Sequence, residues 1–307
     1  MKRLLDCTAS DFSNISKKDL LYAIKDSEGR VIVCETIGVV QPMLMTVTNA
    51  EFASSQGADM ILLNLFDVNN PVINGLPSGI RDEDKIKALK KLIGRAVGIN
   101  LEPVSPEFSG KSSNFFGMTP GRTATVENAR KALELGVTFI VLTGNPGNGI
   151  TNKEICSSLK LINAEIGEKM VLVAGKMHAA GILSEAAENI ITKADVKDFI
   201  SSGADIILFP APGTVPGISI EYIRELIVYT HSLGGLAMTA IGTSQEGADT
   251  ETIRQFAIMS KMAGADIHHI GDAGYVGMAL PENIMTYSIA IRGRRHTYTR
   301  IAASINR

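Results

Sequence analysis

Short apolar runs recur along the chain at near-regular spacing: residues 31–34, 60–64, 96–99, 139–142, 170–173, 206–209, 236–239 and 267–270. Most are rich in Val and Ile and lack polar alternation, which predicts parallel strands covered on both faces. A repeated punctuation precedes several of them. Gly57-Ala58-Asp59, Gly203-Ala204-Asp205 and Gly264-Ala265-Asp266 each open a run, and Gly136-Val137-Thr138 is a looser fourth copy. Glycine supplies the left-handed end of a helix, and the polar residue starts a buried strand. Between the runs lie helical patterns with N-terminal signals. Thr48 with Glu51 and Thr151 with Glu154 read as capping boxes, and Thr192 with Asp195 as a weaker relative.

Strand then helix, eight times over, predicts a closed (β/α)8 TIM barrel of the α/β class. An open doubly wound sheet is the runner-up, but no G-x-G-x-x-G follows the first strand and the spacing stays even to the C-terminus. Residues 1–29 read as an N-terminal helical extension, with a helix over 17–26 that covers the bottom of the barrel; residues 30–307 read as the barrel itself. Residues 143–151 and 210–219 both end in Gly-Ile-(Thr/Ser) before a helix, an internal duplication of the fourth and sixth units.

Composition narrows the class. The 307 residues are 45% hydrophobic, so disorder is excluded, and 30 basic against 32 acidic residues give no dedicated nucleic-acid surface. Cys7, Cys34 and Cys156 lie far apart, which suits a reducing compartment. No window carries the ~18 apolar residues of a membrane span, and Asp6 ends the first apolar stretch too early for a signal peptide. A cytoplasmic protein is expected, a homo-oligomer without nucleic-acid or membrane partners. No acid follows Glu282, whereas Arg292, Arg294, Arg295, Arg300 and Arg307 do. This favours a solvated or subunit-contacting last helix over a nucleic-acid arm.

In such a barrel the C-terminal ends of the strands converge on one pocket. Those ends carry Glu35, Asn64, Glu102, Thr143 with Asn145, Lys176 with His178, Pro210, Thr239 with Thr243, and His268-His269 with Asp272. Alternation turns Asn64, Asn100, Glu102 and His269 inward and places Ala174, Lys176 and His178 on one inner face. Lys176, His178, Glu102 and Glu35 are the candidate catalytic residues. A lysine there can form an iminium, move a proton or clamp a phosphate, or else satisfy Glu102 or Glu35 as an ion pair. His178, His269, Glu35 and Glu102 can instead converge on a divalent metal ion, the candidate cofactor, although no close-spaced ligand motif assigns a site. Small residues at the ends of the last two strands suit an anion. Gly242, Thr243, Gly271, Asp272 and Gly274, with Asn64, Asn100, Thr143 and Asn145, are therefore the candidate substrate- and phosphate-binding residues. Glu246 and Asp272 would repel a phosphate if they pointed inward. The connections 67–81 and 103–124 are long enough for binding loops or lids, the second carrying Phe108, Phe115 and Phe116.

The Gly-Ala-Asp signals and Gly-rich last strand ends resemble the phosphate-binding (β/α)8 barrel superfamily of sugar-phosphate aldolases and epimerases. The stretch from Phe139 to Thr151 also looks like the BtpA-type barrels. The chain departs from the superfamily in lacking paired glycines on the seventh strand. The aldolase lysine of many relatives sits on the sixth, where this chain has Pro210. The expected function is a lyase or isomerase acting on a small phosphorylated carbonyl compound. Lys176 would activate the carbonyl, Glu102 or Glu35 would move a proton with help from His178, and the last two loops would hold the phosphate. The alternatives are a divalent-metal-dependent aldolase, epimerase or hydrolase, and a non-catalytic metabolite-binding barrel.

Overall fold

A computed structural model describes residues 2–105, 117–144, 149–179 and 182–307. Eight parallel strands close a barrel in chain order: β1 (Val31–Ile37), β2 (Met60–Asn64), β3 (Ala96–Leu101), β4 (Phe139–Leu142), β5 (Val171–Gly175), β6 (Ile206–Pro210), β7 (Leu236–Ile241) and β8 (Ile267–Ile270). Closure pairs Val31 with Ile267 and Val33 with His269. Two short helices, α1 (Ala9–Ser13) and α2 (Lys17–Lys25), precede the barrel. The main helices after successive strands are α3 (Asn49–Ser55), α4 (Lys85–Ile93), α5 (Val126–Leu135), α6 (Asn152–Ile166), α7 (Lys193–Ser201), α8 (Ile220–Ser232), α9 (Thr250–Ala263) and α10 (Pro281–Ala302). The α/β barrel expected from the apolar pattern is thus the fold. Among the described residues no helix is long and apolar enough to cross a membrane.

Alternation sorts each strand into two cores. Val33, Met60, Leu62, Phe139, Val141, Val173, Leu208 and Met238 fill the barrel interior. Ile32, Ile61, Leu63, Val97, Ile99, Leu172, Ala174 and Ile207 pack outward against the helices. The fifth strand corrects one expectation. Ala174 belongs to the outer core, and Val171 and Val173 to the inner one. The strand ends on Gly175, which adopts φ +156, where a Cβ would stand 2.0 Å from the Leu208 carbonyl oxygen.

The Gly-Ala-Asp copies have one shared structural role at the bottom of the barrel. Asp59, Asp205 and Asp266 each accept the N–H of the second residue of the preceding odd-numbered strand or its equivalent, namely Ile32, Leu172 and Ala237, each at 2.8 Å. Each aspartate N–H is returned to the carbonyl of that same residue at 2.8–2.9 Å. Thr138 keeps only the backbone half, to Val97 O at 2.8 Å.

Two of the five arginines after Glu282 complete this end, where a solvated or subunit-contacting last helix was expected; Arg294, Arg295 and Arg307 are exposed. Arg292 and Arg300 are buried and grip Asp59 at 2.5 and 2.7 Å. Burial, the largest influence, raises the Asp59 carboxyl, but the two guanidinium charges overcome it and hold the group below its ordinary range. Gly293, at φ +76 and ψ 166, breaks α10 between them, which lets both arginines turn to one carboxylate. Leu4, Phe12, Leu20 and Ile24 pack with the inner barrel residues, and Lys17 Nζ reaches Asp205 at 2.8 Å. Of the caps, Thr48–Glu51 and Thr192–Asp195 are both complete boxes. The duplicated segments converge on one device: Thr151 caps α6 through Glu154 N–H, and Ser219 caps α8 through Tyr222 N–H.

Candidate active site

The barrel mouth holds a cavity of about 250 Å³. Glu35, Asn64, Asn100, Glu102, Thr143, His178, Gly242, Gly271 and Asp272 line it, as do Leu65, Arg122, Gly144, Met177 and Glu246. A larger groove of about 1250 Å³ lies at the opposite end, lined by Lys87, Lys91, Arg95 and Arg307, with Asp84 its one carboxylate side chain. Convergent carboxylates distinguish the mouth.

The inner face of each strand continues upward from apolar to polar. On β1 the order is Val31, Val33, Glu35; on β2, Met60, Leu62, Asn64; on β3, Ala96, Gly98, Asn100, then Glu102. One chain of hydrogen bonds crosses the mouth. Asn100 Nδ2 donates to Glu35 Oε1 at 2.7 Å and to Asn64 Oδ1 at 3.1 Å, and Asn64 Nδ2 donates to Asp272 Oδ2 at 2.7 Å. Both amide orientations follow, because each NH2 group serves a carboxylate. Below the chain, His269 is 1% exposed, and its Nε2 lies 3.4 Å from Glu35 Oε2.

Electrostatics set the protonation. Burial pushes the Asp272 carboxyl up to about 7, the charge of Glu35 adds to this, and hydrogen bonds from Asn64 and Gly274 only partly offset it. Glu246 is also raised, chiefly by burial. Glu102 is raised by burial despite its close ion pair with Arg122. Burial lowers the His178 imidazole, and the Lys176 charge adds to that lowering.

Several expected site residues stand elsewhere. Lys176 is 1% exposed but does not line the cavity; it shares the outward phase of Ala174, and Met177 and His178 line the mouth instead. Thr243 Oγ1 donates to the Thr214 carbonyl at 3.0 Å, away from the mouth. Gly274 is exposed, and Asn145 lies outside the described residues, as do Phe108, Phe115 and Phe116. Three amides of the strand-eight turn already have partners. Gly271 N–H donates to Ile241 O at 2.9 Å, Ala273 N–H to Glu246 Oε1 at 3.0 Å, and Gly274 N–H to Asp272 Oδ1 at 2.7 Å. Two of the three acceptors are carboxylates, so the turn binds the protein's own anions.

For a metal ion the donor set does not fit. Among the described residues no three His, Cys, Asp or Glu side chains are grouped to hold one. Arg122 was not foreseen. It stands 20 residues beyond Glu102 and is drawn in because its carbonyl accepts Glu102 N–H at 2.8 Å. The Pro120-Gly121 turn before it is the only local signal. Glu246 was foreseen only as an obstacle to phosphate, although it is 4% exposed and lines the cavity.

Residues 5–307 match the family described as a domain of unknown function, DUF7916. The chain belongs to this family. No curated protein matches it. Among solved structures, the DUF7916 chain is similar to 2,3-dimethylmalate lyase, a PEP mutase/isocitrate lyase superfamily member. That likeness has TM-score 0.50 and 14% identity, covering 87% of this chain and 82% of that one. Thiamine phosphate pyrophosphorylase from Pyrococcus furiosus gives TM-score 0.48 and 11% identity, covering 86% and 96%. At 14% identity the likeness of the DUF7916 chain to the lyase is one of fold.

Proposed function

We propose that this protein is an enzyme of the lyase or isomerase type that moves a proton on a small carbonyl compound bound in the barrel mouth. The observation that supports this most is the pairing of Glu35 and Asp272 across one cavity through Asn100 and Asn64. Two buried carboxylates that repel each other favour one proton between them, so one acts as acid and the other as base. Asp272, raised to about 7, carries the proton near neutrality. Glu35, held by Asn100 and backed by His269, is the base. The guanidinium of Arg122, fixed by Glu102, is the group suited to an oxyanion developing on the carbonyl oxygen. This reading moves the chemistry from Lys176, which is buried outside the cavity lining, to the carboxylates.

The test is exchange of carbon-bound hydrogen in D2O, followed by NMR over a panel of 2-oxo acids and hydroxyketones. The wild type is expected to wash out protons next to the carbonyl of at least one compound. E35Q and D272N should each slow this by about 10²–10⁴-fold, the usual contribution of a general acid or base, while K176M retains it. Loss in K176M with exchange retained in E35Q would return the mechanism to the lysine. An absence of exchange across the panel would count against the reading altogether.

A further inference from the structure

The hydrogen bonds of the mouth leave buried oxygens unsatisfied. Asn100 has committed both of its amide N–H groups, to Glu35 and Asn64, and Asn64 has committed one of its two to Asp272. Two of the mouth's buried acceptors remain open. Asn100 Oδ1 and Glu246 Oε2 are buried oxygens without a partner, on side chains that are 6% and 4% exposed and that line the cavity. Buried acceptors left without donors are costly, and charged ones most of all. Charge has the same bias: Glu35, Glu246 and Asp272 share the cavity, and the one arginine lining it, Arg122, is bound to Glu102.

We propose that the mouth takes a ligand bearing an ammonium group, seated between Glu246 and Asn100 with Glu35 and Asp272 at its sides. The inference rests on the same cavity as the proton-transfer reading and narrows its substrate to an aminated carbonyl compound. An ammonium brings several donors and one positive charge to a place with open acceptors and excess negative charge. A phosphate would meet three carboxylates and a turn in which the Gly271, Ala273 and Gly274 amides are already engaged. The volume of about 250 Å³ suits a compact ligand, below the drug-sized range.

The test uses NMR titration at about pH 8 with ethanolamine, ethylene glycol and inorganic phosphate. Ethylene glycol replaces the ammonium by a hydroxyl at nearly the same size. Ethanolamine should bind about ten-fold more tightly than the glycol, the scale of one charge-assisted hydrogen bond. In E246Q, which keeps an oxygen for the Ala273 N–H, most of that preference should disappear. A second arm lowers the pH to about 6. Asp272 then gains its proton, among Glu35, Glu246 and His269 beside it and Glu102, Arg122 and His178 across the mouth, and the preference should fall. Phosphate or glycol binding as tightly as ethanolamine would overturn the proposal, and so would a preference that E246Q leaves intact. Because the readout is binding, it fails separately from the proton-exchange experiment, which reads turnover.

Discussion

Gly98 occupies an inner position of β3 where a Cβ would stand 2.3 Å from the Phe139 ring. The absence of a side chain there is what lets Phe139 lie wholly buried across the barrel axis. Gly98→Ala should cost about 1–3 kcal/mol, the usual penalty of overpacking, measured by urea unfolding. Adding Phe139→Leu should recover part of it, since the smaller side chain vacates the contested space. A double mutant no more stable than the single would show that the contact is not the cause. At the same scale, the mouth carboxylates are individually ordinary residues whose chemistry arises from proximity. Asp272 would be a plain surface acid without Glu35 and the burial that both share.

At the scale of elements, the three Gly-Ala-Asp aspartates fasten neighbouring strands, but with unequal consequences. Asp59 holds two buried arginines, whereas Asp266 pairs with a half-exposed His231. Asp59→Ala leaves both guanidinium groups buried without their carboxylate and should destabilise by about 3–5 kcal/mol. Asp266→Ala leaves the Ala237 backbone N–H without its side-chain acceptor and should cost about 1–3 kcal/mol. Thermal unfolding of the two variants checks the order; equal losses would mean that the arginines find other acceptors. The same pairing explains why Arg292 and Arg300, unlike the exposed Arg294, Arg295 and Arg307, are misread from sequence. A run of cations without nearby acids resembles a solvated face, and its acid, Asp59, lies more than two hundred positions away at 2.5 Å from Arg292.

For the whole molecule, the mouth carboxylates make stability depend on pH in a direction opposite to the Asp59 end. Asp272 titrates at about 7 when folded, above its ordinary 3.8. The folded chain therefore binds a proton that the unfolded chain does not between these values, and stability falls as pH rises through that window. From about pH 6 to pH 8 this one group should remove about 1.4 kcal/mol. Buried His268, lowered to about 4 by desolvation, works the other way, because the unfolded chain protonates it first as pH falls. The measurement is thus the difference in Tm shift between wild type and D272N. Wild type should gain more on acidification than D272N, and identical shifts would place the Asp272 proton elsewhere. The depressed Asp59 contributes stability that is lost only at lower pH, as the carboxylate is finally protonated.

Apolar runs, Gly-Ala-Asp punctuation and caps are local, and their physics is local. Unalternated Val and Ile require two covered faces, and a left-handed residue ends each of several helices. The chain by itself thus determined the barrel, the strand ends facing the mouth, and the inward turn of Asn64, Asn100, Glu102 and His269. Period-two reasoning had the wrong phase on the fifth strand: Ala174 faces the helices, and the same alternation keeps Lys176 out of the cavity lining. Only the tertiary structure decided which polar groups meet. Arg122 and Glu246 reach the cavity from loops, where no period constrains them, and the Glu35–Asp272 pair forms because closure sets the first strand beside the last. The proton balance of the mouth follows from that closure, since burial and neighbouring charge are properties of the assembled barrel and of no segment within it.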